Sequence, residues 1–156
     1  MGGMEFKVHA LPLDVLKRAR QDSVGGQPEV VRIVAGGGEP LRCCLRDALA
    51  GEVLVLFPYA PPIPPSPYRE AGAVFAHAAG CTGPAGDGYP HGWRGRPQVL
   101  RAYDPRGWIH PNTRVHDGTD PEGVLAEMFA DPDVVQVHSR NVAYGCFMFA
   151  ITRAAT

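Results

Sequence analysis

The stretch PLRCCLRDALAGEVLVLFPYAPPIPPSPYREAGAVF, Pro40–Phe75, decides how the fold is read. Its middle, Glu52–Tyr59, is almost wholly apolar, which suits a strand covered on both faces. The prolines of Pro58–Pro67 end that strand, because proline has no N–H to give a sheet ladder. An extended crossing loop is expected there, with a strand resuming at Ala71–Ala78. The same stretch crowds arginines, two cysteines and Tyr68 around the apolar strand, so polar chemistry is held against a core.

Upstream, Glu5–Ala10 alternates as a short strand, and Leu13, Leu16 and Arg20 follow at helical spacing with Pro12 near the first turn. Gln27-Pro28 breaks the pattern before the β-branched run Glu29–Ala35, which stops at Gly36-Gly37-Gly38. Downstream, Gly80–Pro97 (GCTGPAGDGYPHGWRGRP) has no periodicity and reads as a long loop. Such loops serve as lids or lie as mobile surface segments, and Tyr89, His91 and Trp93 would be this one's lid residues. Gln98–Tyr103 and Gly107–His110 read as a hairpin about the turn Asp104-Pro105-Arg106-Gly107.

Thr119-Asp120-Pro121-Glu122 offers an N-cap, an early proline and a capping-box glutamate ahead of Val124, Leu125, Met128 and Phe129, predicting a second helix that ends near Asp131-Pro132. Val134–Arg140 and Cys146–Thr152 form a terminal hairpin around Asn141–Gly145. Strands outnumber helices and hairpins dominate. The expected class is therefore α+β: one mainly antiparallel sheet of about six to eight strands with two helices covering one face. The 156 residues suit a single domain over 1–156.

Charge and composition narrow the partners. Fifteen basic against sixteen acidic residues give a net charge of -1, and no basic block tracks a phosphate backbone, so nucleic acid is not an expected partner. No apolar run is long enough to span a bilayer, and MGGMEFKVHALP lacks the basic and continuous apolar regions of a signal peptide, so the chain reads as cytoplasmic with no membrane partner. Cys43, Cys44, Cys81 and Cys146 have no C-x-x-C spacing and read as free thiols. An open sheet leaves edge strands, which makes a homodimer available without requiring one.

Three chemistries compete for the polar residues. Arg42, Arg46, Arg69 and Arg101, with Tyr68 and Tyr103, have the groups to clamp a carboxylate or phosphate; the alternative is internal ion pairing to Asp47, Glu70 or Asp104. Cys44 lies between Arg42 and Arg46, whose charge favours a thiolate if His77, His91 or His138 is near; the alternative is a buried, inert thiol, and Cys146, opening an apolar strand, reads as a small core residue. For a metal, His9, His77, His91, His110, His116, His138 and the cysteines show no recognisable ligand spacing, so no metal ligands are assigned. The glycine triplet at Gly36 lacks nucleotide-cradle spacing, and no cofactor is expected.

Several short motifs, in order, resemble the bacterial family known as domain of unknown function 1203. They are Phe6–Pro12 (F-x-V-x-x-L-P), Pro40–Asp47, Ser66–Arg69 (S-P-Y-R), Leu100–Asp104, Asp117-Gly118, and Arg140-Asn141 leading to Gly145-Cys146-Phe147. In that family the second block often reads C-R-x-C-L, and Leu41 stands here at the first cysteine position, which counts against a redox or metal role that needs that pair. The resemblance implies no activity, substrate or cofactor. It does include Arg42, Arg46, Arg69, Arg101, Asn141, Tyr68, Tyr103, Cys44 and Cys146 among its motif positions.

The functional expectation is a small enzyme doing acid–base chemistry, of isomerase, cyclase or lyase type, on a small anionic or carbonyl-bearing metabolite. Arg42, Arg46, Arg69, Arg101 and Asn141 would bind it, Tyr68, His77 or Tyr103 would move protons, and Cys44 is a reserve nucleophile. The alternative is a non-catalytic ligand-binding or protein-interaction module that docks through Pro58–Pro67. Convergence of the arginines and tyrosines on one concave pocket separates the two.

Overall fold

In the structure, a computed structural model describing residues 5–154, the elements in chain order are β1 (Phe6–His9), α1 (Leu13–Val24), β2 (Val31–Val34), β3 (Pro40–Leu41), β4 (Arg46–Asp47), β5 (Val53–Tyr59), β6 (Gly72–His77), a 3-10 turn at His91–Trp93, β7 (Gln98–Tyr103), β8 (Arg114–His116), α2 (Pro121–Phe129), β9 (Gln136–Asn141) and β10 (Phe147–Arg153). The reading of the N-terminal segment falls partly on residues 1–4, which lie outside the described residues. No helix is long and apolar enough to cross a membrane among the described residues.

The class is α+β and mostly antiparallel, but the strands divide into two five-stranded sheets where one of about six to eight was expected. One sheet has the order β1-β10-β9-β7-β8 and the other β2-β5-β6-β3-β4. The second holds a parallel contact, Leu41 of β3 opposite Phe75 of β6. That contact sets the turn that follows β3 beside the end of β6, and it builds the site described below.

Each sheet has its own core. Leu125, Met128 and Phe129 of α2 pack with Leu100, Val137, Phe149 and Ile151 of the first sheet, all essentially inaccessible. Leu16 and Ala19 of α1 pack with Leu54, Phe57, Val74 and Ala76 of the second. Strand β10 serves both cores, giving Phe149 and Ile151 to one and Phe147 to the other. Leu13, the first residue of α1, is 77% exposed, whereas Leu16 at the next helical position is buried.

Two local expectations change. Gly107–His110 makes only an isolated bridge, Ile109 to Tyr103, and the strand that pairs with β7 is Arg114–His116. The carboxylate of Asp104 explains this: it accepts from the N–H groups of Arg106 and Trp108 and turns the chain back on itself, so pairing resumes a few residues later. At α2 the cap is Asp120, whose Oδ1 accepts from Gly123 N at 3.2 Å. Glu122 closes no capping box; it pairs with Arg94.

Candidate metal centre

Between β3 and β4 the chain makes a tight turn in which Leu45 N–H donates to Leu41 O at 2.9 Å. Leu45 adopts φ 59°, in the left-handed region where an ordinary side chain costs about 1–2 kcal/mol. Its buried side chain offsets that cost by packing into the core of the first sheet. The turn puts consecutive residues, Cys43 and Cys44, side by side with their sulfurs 3.9 Å apart.

The parallel β3–β6 contact sets His77, at the end of β6, beside them. Its Nδ1 lies 3.5 Å from Cys43 Sγ and 3.8 Å from Cys44 Sγ. Cys81, four residues on, completes the group: the ligand atoms of Cys43, Cys44, His77 and Cys81 all lie within 4.8 Å of one another. Tetrahedral zinc, with Zn–S of about 2.3 Å and Zn–N of about 2.0–2.1 Å, sets two sulfurs about 3.8 Å apart and a sulfur and a nitrogen about 3.6 Å apart. The three distances above match that spacing.

The surroundings suit bound thiolates and an oriented imidazole. His77 Nε2 lies 2.8 Å from Glu52 Oε2, which fixes the ring and leaves Nδ1 facing the sulfurs, as when a carboxylate orients a metal-binding histidine. Glu52 is itself held by Arg46, at 3.1 and 3.0 Å, and by Leu49 N–H at 2.7 Å. Those bonds, Arg46 first, hold the Glu52 carboxyl down at about 2. Arg20 Nε donates to His77 O at 3.0 Å, pinning the backbone from α1. His77 N–H donates to Cys43 Sγ at 3.2 Å.

Without a metal the thiols are not equivalent. The Cys43 S–H points to Cys44, which pushes Cys43 up and brings Cys44 down, while burial pushes Cys81 up. Cys44 is half-buried, packed against the core of the second sheet.

A cavity of about 590 Å³ opens above these groups, with Cys44, Arg46, His77 and Cys81 on one side and the Gly83–Gly92 part of the long loop on the other. That loop is anchored at several points. Tyr89 and Trp93 are buried in the core of the first sheet, Asp87 O accepts from Val8 N–H at 2.8 Å, and Trp93 Nε1–H donates to Asp47 Oδ1 at 2.9 Å. Of the three aromatic residues expected on its ligand side, only His91 is exposed.

Of the residues expected to form a site, the structure thus gathers Cys44, Arg46 and His77 and disperses the others. Arg42 is 2% exposed and donates to backbone oxygens, from Nε to Phe147 O and from Nη1 to Pro40 O; burial brings its guanidinium down to about 10. Arg101 shares Glu70 with Arg140, which is the internal ion pairing offered as its alternative role. Arg69 is exposed, and Tyr68 lies edge-on to Trp108. Tyr103 is 2% exposed against His138.

Burial, then Arg140 and Arg101, hold His138 down at about 3, and the cavity beside it measures only about 10 Å³. Asn141 shapes the β9–β10 turn, its Oδ1 accepting from Cys146 N–H. Cys146 is half-buried in that turn, ahead of the strand it was expected to open.

Cys81 and Glu52 are the members that sequence spacing does not show. A weak signal exists in H-x-x-x-C at His77–Cys81, but the adjacent cysteines lie 33 residues upstream, and only the parallel strand contact makes one group of them.

No curated protein and no solved structure matches the chain. The sequence profile of one family, described as "Protein of unknown function (DUF1203)", matches residues 38–153, a span that contains every residue of this centre. The chain belongs to that family.

Proposed function

We propose that this protein binds one zinc ion through Cys43, Cys44, His77 and Cys81, and that the pocket above the ion is its working site. The observation that carries the reading is that Cys43, Cys44 and His77 stand at the separations of a tetrahedral ion, with the Cys81 sulfur within 4.8 Å of all three. Three thiolates and an imidazole form a soft donor set, suited to zinc rather than to magnesium or calcium. The Glu52–His77 contact and the His77 N–H aimed at Cys43 add independent support.

This reading redistributes the roles expected from the sequence. With Nδ1 on the ion and Nε2 on Glu52, His77 has no ring nitrogen left for proton transfer. Arg46 is spent on Glu52 and positions the carboxylate that positions the histidine. Zinc with three thiolates carries a net charge of about -1, and Arg46 and Glu52 cancel, so the pocket favours neutral or cationic ligands over the small anion expected from the arginines.

Metal analysis of protein purified without an affinity tag tests the reading. About one zinc per chain is expected, and a chelator should lower the melting temperature, since a ligand bound only to the native state stabilises it. A metal-free protein whose melting temperature zinc does not change would refute it. Binding displaces protons, up to about three from the thiols, so apparent affinity should rise with pH between about 5 and 8. The sign follows from the thiols, which must lose their protons to bind the ion; Cys43 and Cys81, both pushed up, give theirs up least readily. Glu52, at about 2, stays ionised throughout that range.

Glu52→Gln keeps the shape of the side chain but removes the charge that orients His77. Zinc affinity is expected to fall about 10–100-fold with the fold intact, read by competition with a chromogenic chelator. An unchanged affinity would place Glu52 outside the centre.

A further inference from the structure

The three sulfurs of the centre differ in what surrounds them. Cys43 Sγ is buried and accepts from His77 N–H. Cys44 Sγ and Cys81 Sγ line the pocket, are half-buried, and accept no backbone N–H among the described residues. A hydrogen bond to a thiolate stabilises its charge and makes its electron pair less available.

Building on the zinc reading, we propose that the two pocket-facing thiolates, Cys44 and Cys81, are the nucleophilic ligands of the centre, and that the pocket receives a neutral or cationic soft carbon electrophile, an alkyl donor.

A four-ligand shell leaves the ion no open position from which to activate water. What it presents to the pocket is thiolate. One of these two sulfurs gives its electron pair to the electrophilic carbon and forms an S–C bond. The carbon's bond to its leaving group breaks, and the leaving group departs with the pair of the broken bond, so nothing is oxidised and no proton is needed. The attacking cysteine becomes a neutral thioether, the charge of the centre rises from about -1 to about zero, and the other three ligands retain the ion. The same charge explains the choice of electrophile, since it repels anions and attracts cations. Arg46, bonded to Glu52, leaves no free guanidinium to reverse that preference.

Iodoacetamide and iodoacetate differ in charge and share a leaving group, iodide. Zinc-loaded wild-type protein is treated with each in limiting amount and the cysteines are mapped by peptide mass spectrometry. Cys146, outside the centre, is the internal reference. Cys44 and Cys81 are expected to be modified at least about tenfold faster than Cys43. Iodoacetamide should be favoured over iodoacetate more strongly at these two than at Cys146. Modification of Cys43 first, equal rates at the three sulfurs, or labelling of Cys146 alone would overturn the inference and leave a closed structural centre. Zinc content measured on the same sample separates the two readings: a sample that cannot be loaded refutes the metal reading and this one with it, whereas a loaded sample with unreactive Cys44 and Cys81 refutes only this one.

Discussion

Cys81→Ser is expected to lower zinc affinity by more than about 100-fold, beyond the loss typical of a residue that only orients a ligand. Cys81 is the one ligand supplied by the loop after β6, and its loss leaves Cys43, Cys44 and His77, which the sheet contact still holds together. The fold should survive, because Cys81 is half-buried and only borders the core of the second sheet, and serine keeps its size and shape. The melting temperature of the variant should therefore equal that of chelated wild type and no longer respond to zinc. Cys146→Ser is the matched control; Cys146 lies in the β9–β10 turn and should leave zinc content unchanged. Zinc content at the wild-type level in Cys81→Ser would remove Cys81 from the centre, and equal losses in both variants would indicate binding outside it.

Why Cys81 is invisible in the sequence is a matter of topology. Helices, hairpins and turns declare themselves in local pattern, and α1, α2, β5, β7 and the β9–β10 hairpin lie close to where periodicity and turn residues put them. The β3–β6 contact is parallel, two strands from separate parts of the chain with no turn between them to announce it. β3 and β4 are two residues each, too short for any alternation to register. With those strands unseen, the second sheet cannot be told from an extension of the first, and Cys43-Cys44 has no reason to meet His77.

The arginines mislead for a related reason. Arg42, Arg46 and Arg101 all flank apolar strands, as an anion clamp would, but burial decides between clamp and brace, and burial depends on the packing of the whole domain. Arg42 went to backbone oxygens, Arg46 to Glu52 and Arg101 to Glu70. The sequence does place Cys44, Arg46 and His77 among the candidates, because thiol, guanidinium and imidazole near a strand end are where polar chemistry meets a core.

Trp93→Ala is expected to cost about 3–5 kcal/mol of stability, the usual loss for a large aromatic removed from a core, and to lower the melting temperature by roughly 10 °C. Trp93 is 0% exposed and stacks on Phe149 with ring centroids 6.0 Å apart and planes 14° from parallel. Its indole N–H also reaches Asp47, which Arg96 holds from the other side at 2.6 Å. Trp93→Phe keeps most of the packing and gives up the N–H, so its cost should be nearer 1 kcal/mol.

The pair of variants also asks how the loop serves the centre. Asp47 follows directly on Arg46, which holds Glu52, so Trp93 ties the far end of the loop to the strand that supports the ligands. Cys81 ties the near end. If the two ties cooperate, Trp93→Ala should weaken zinc binding without changing its stoichiometry, because the metal must then pay the cost of ordering the loop. If zinc affinity is the same in Trp93→Ala and wild type, Cys81 is held in place by its own turn, and the rest of the loop is only the wall of the pocket.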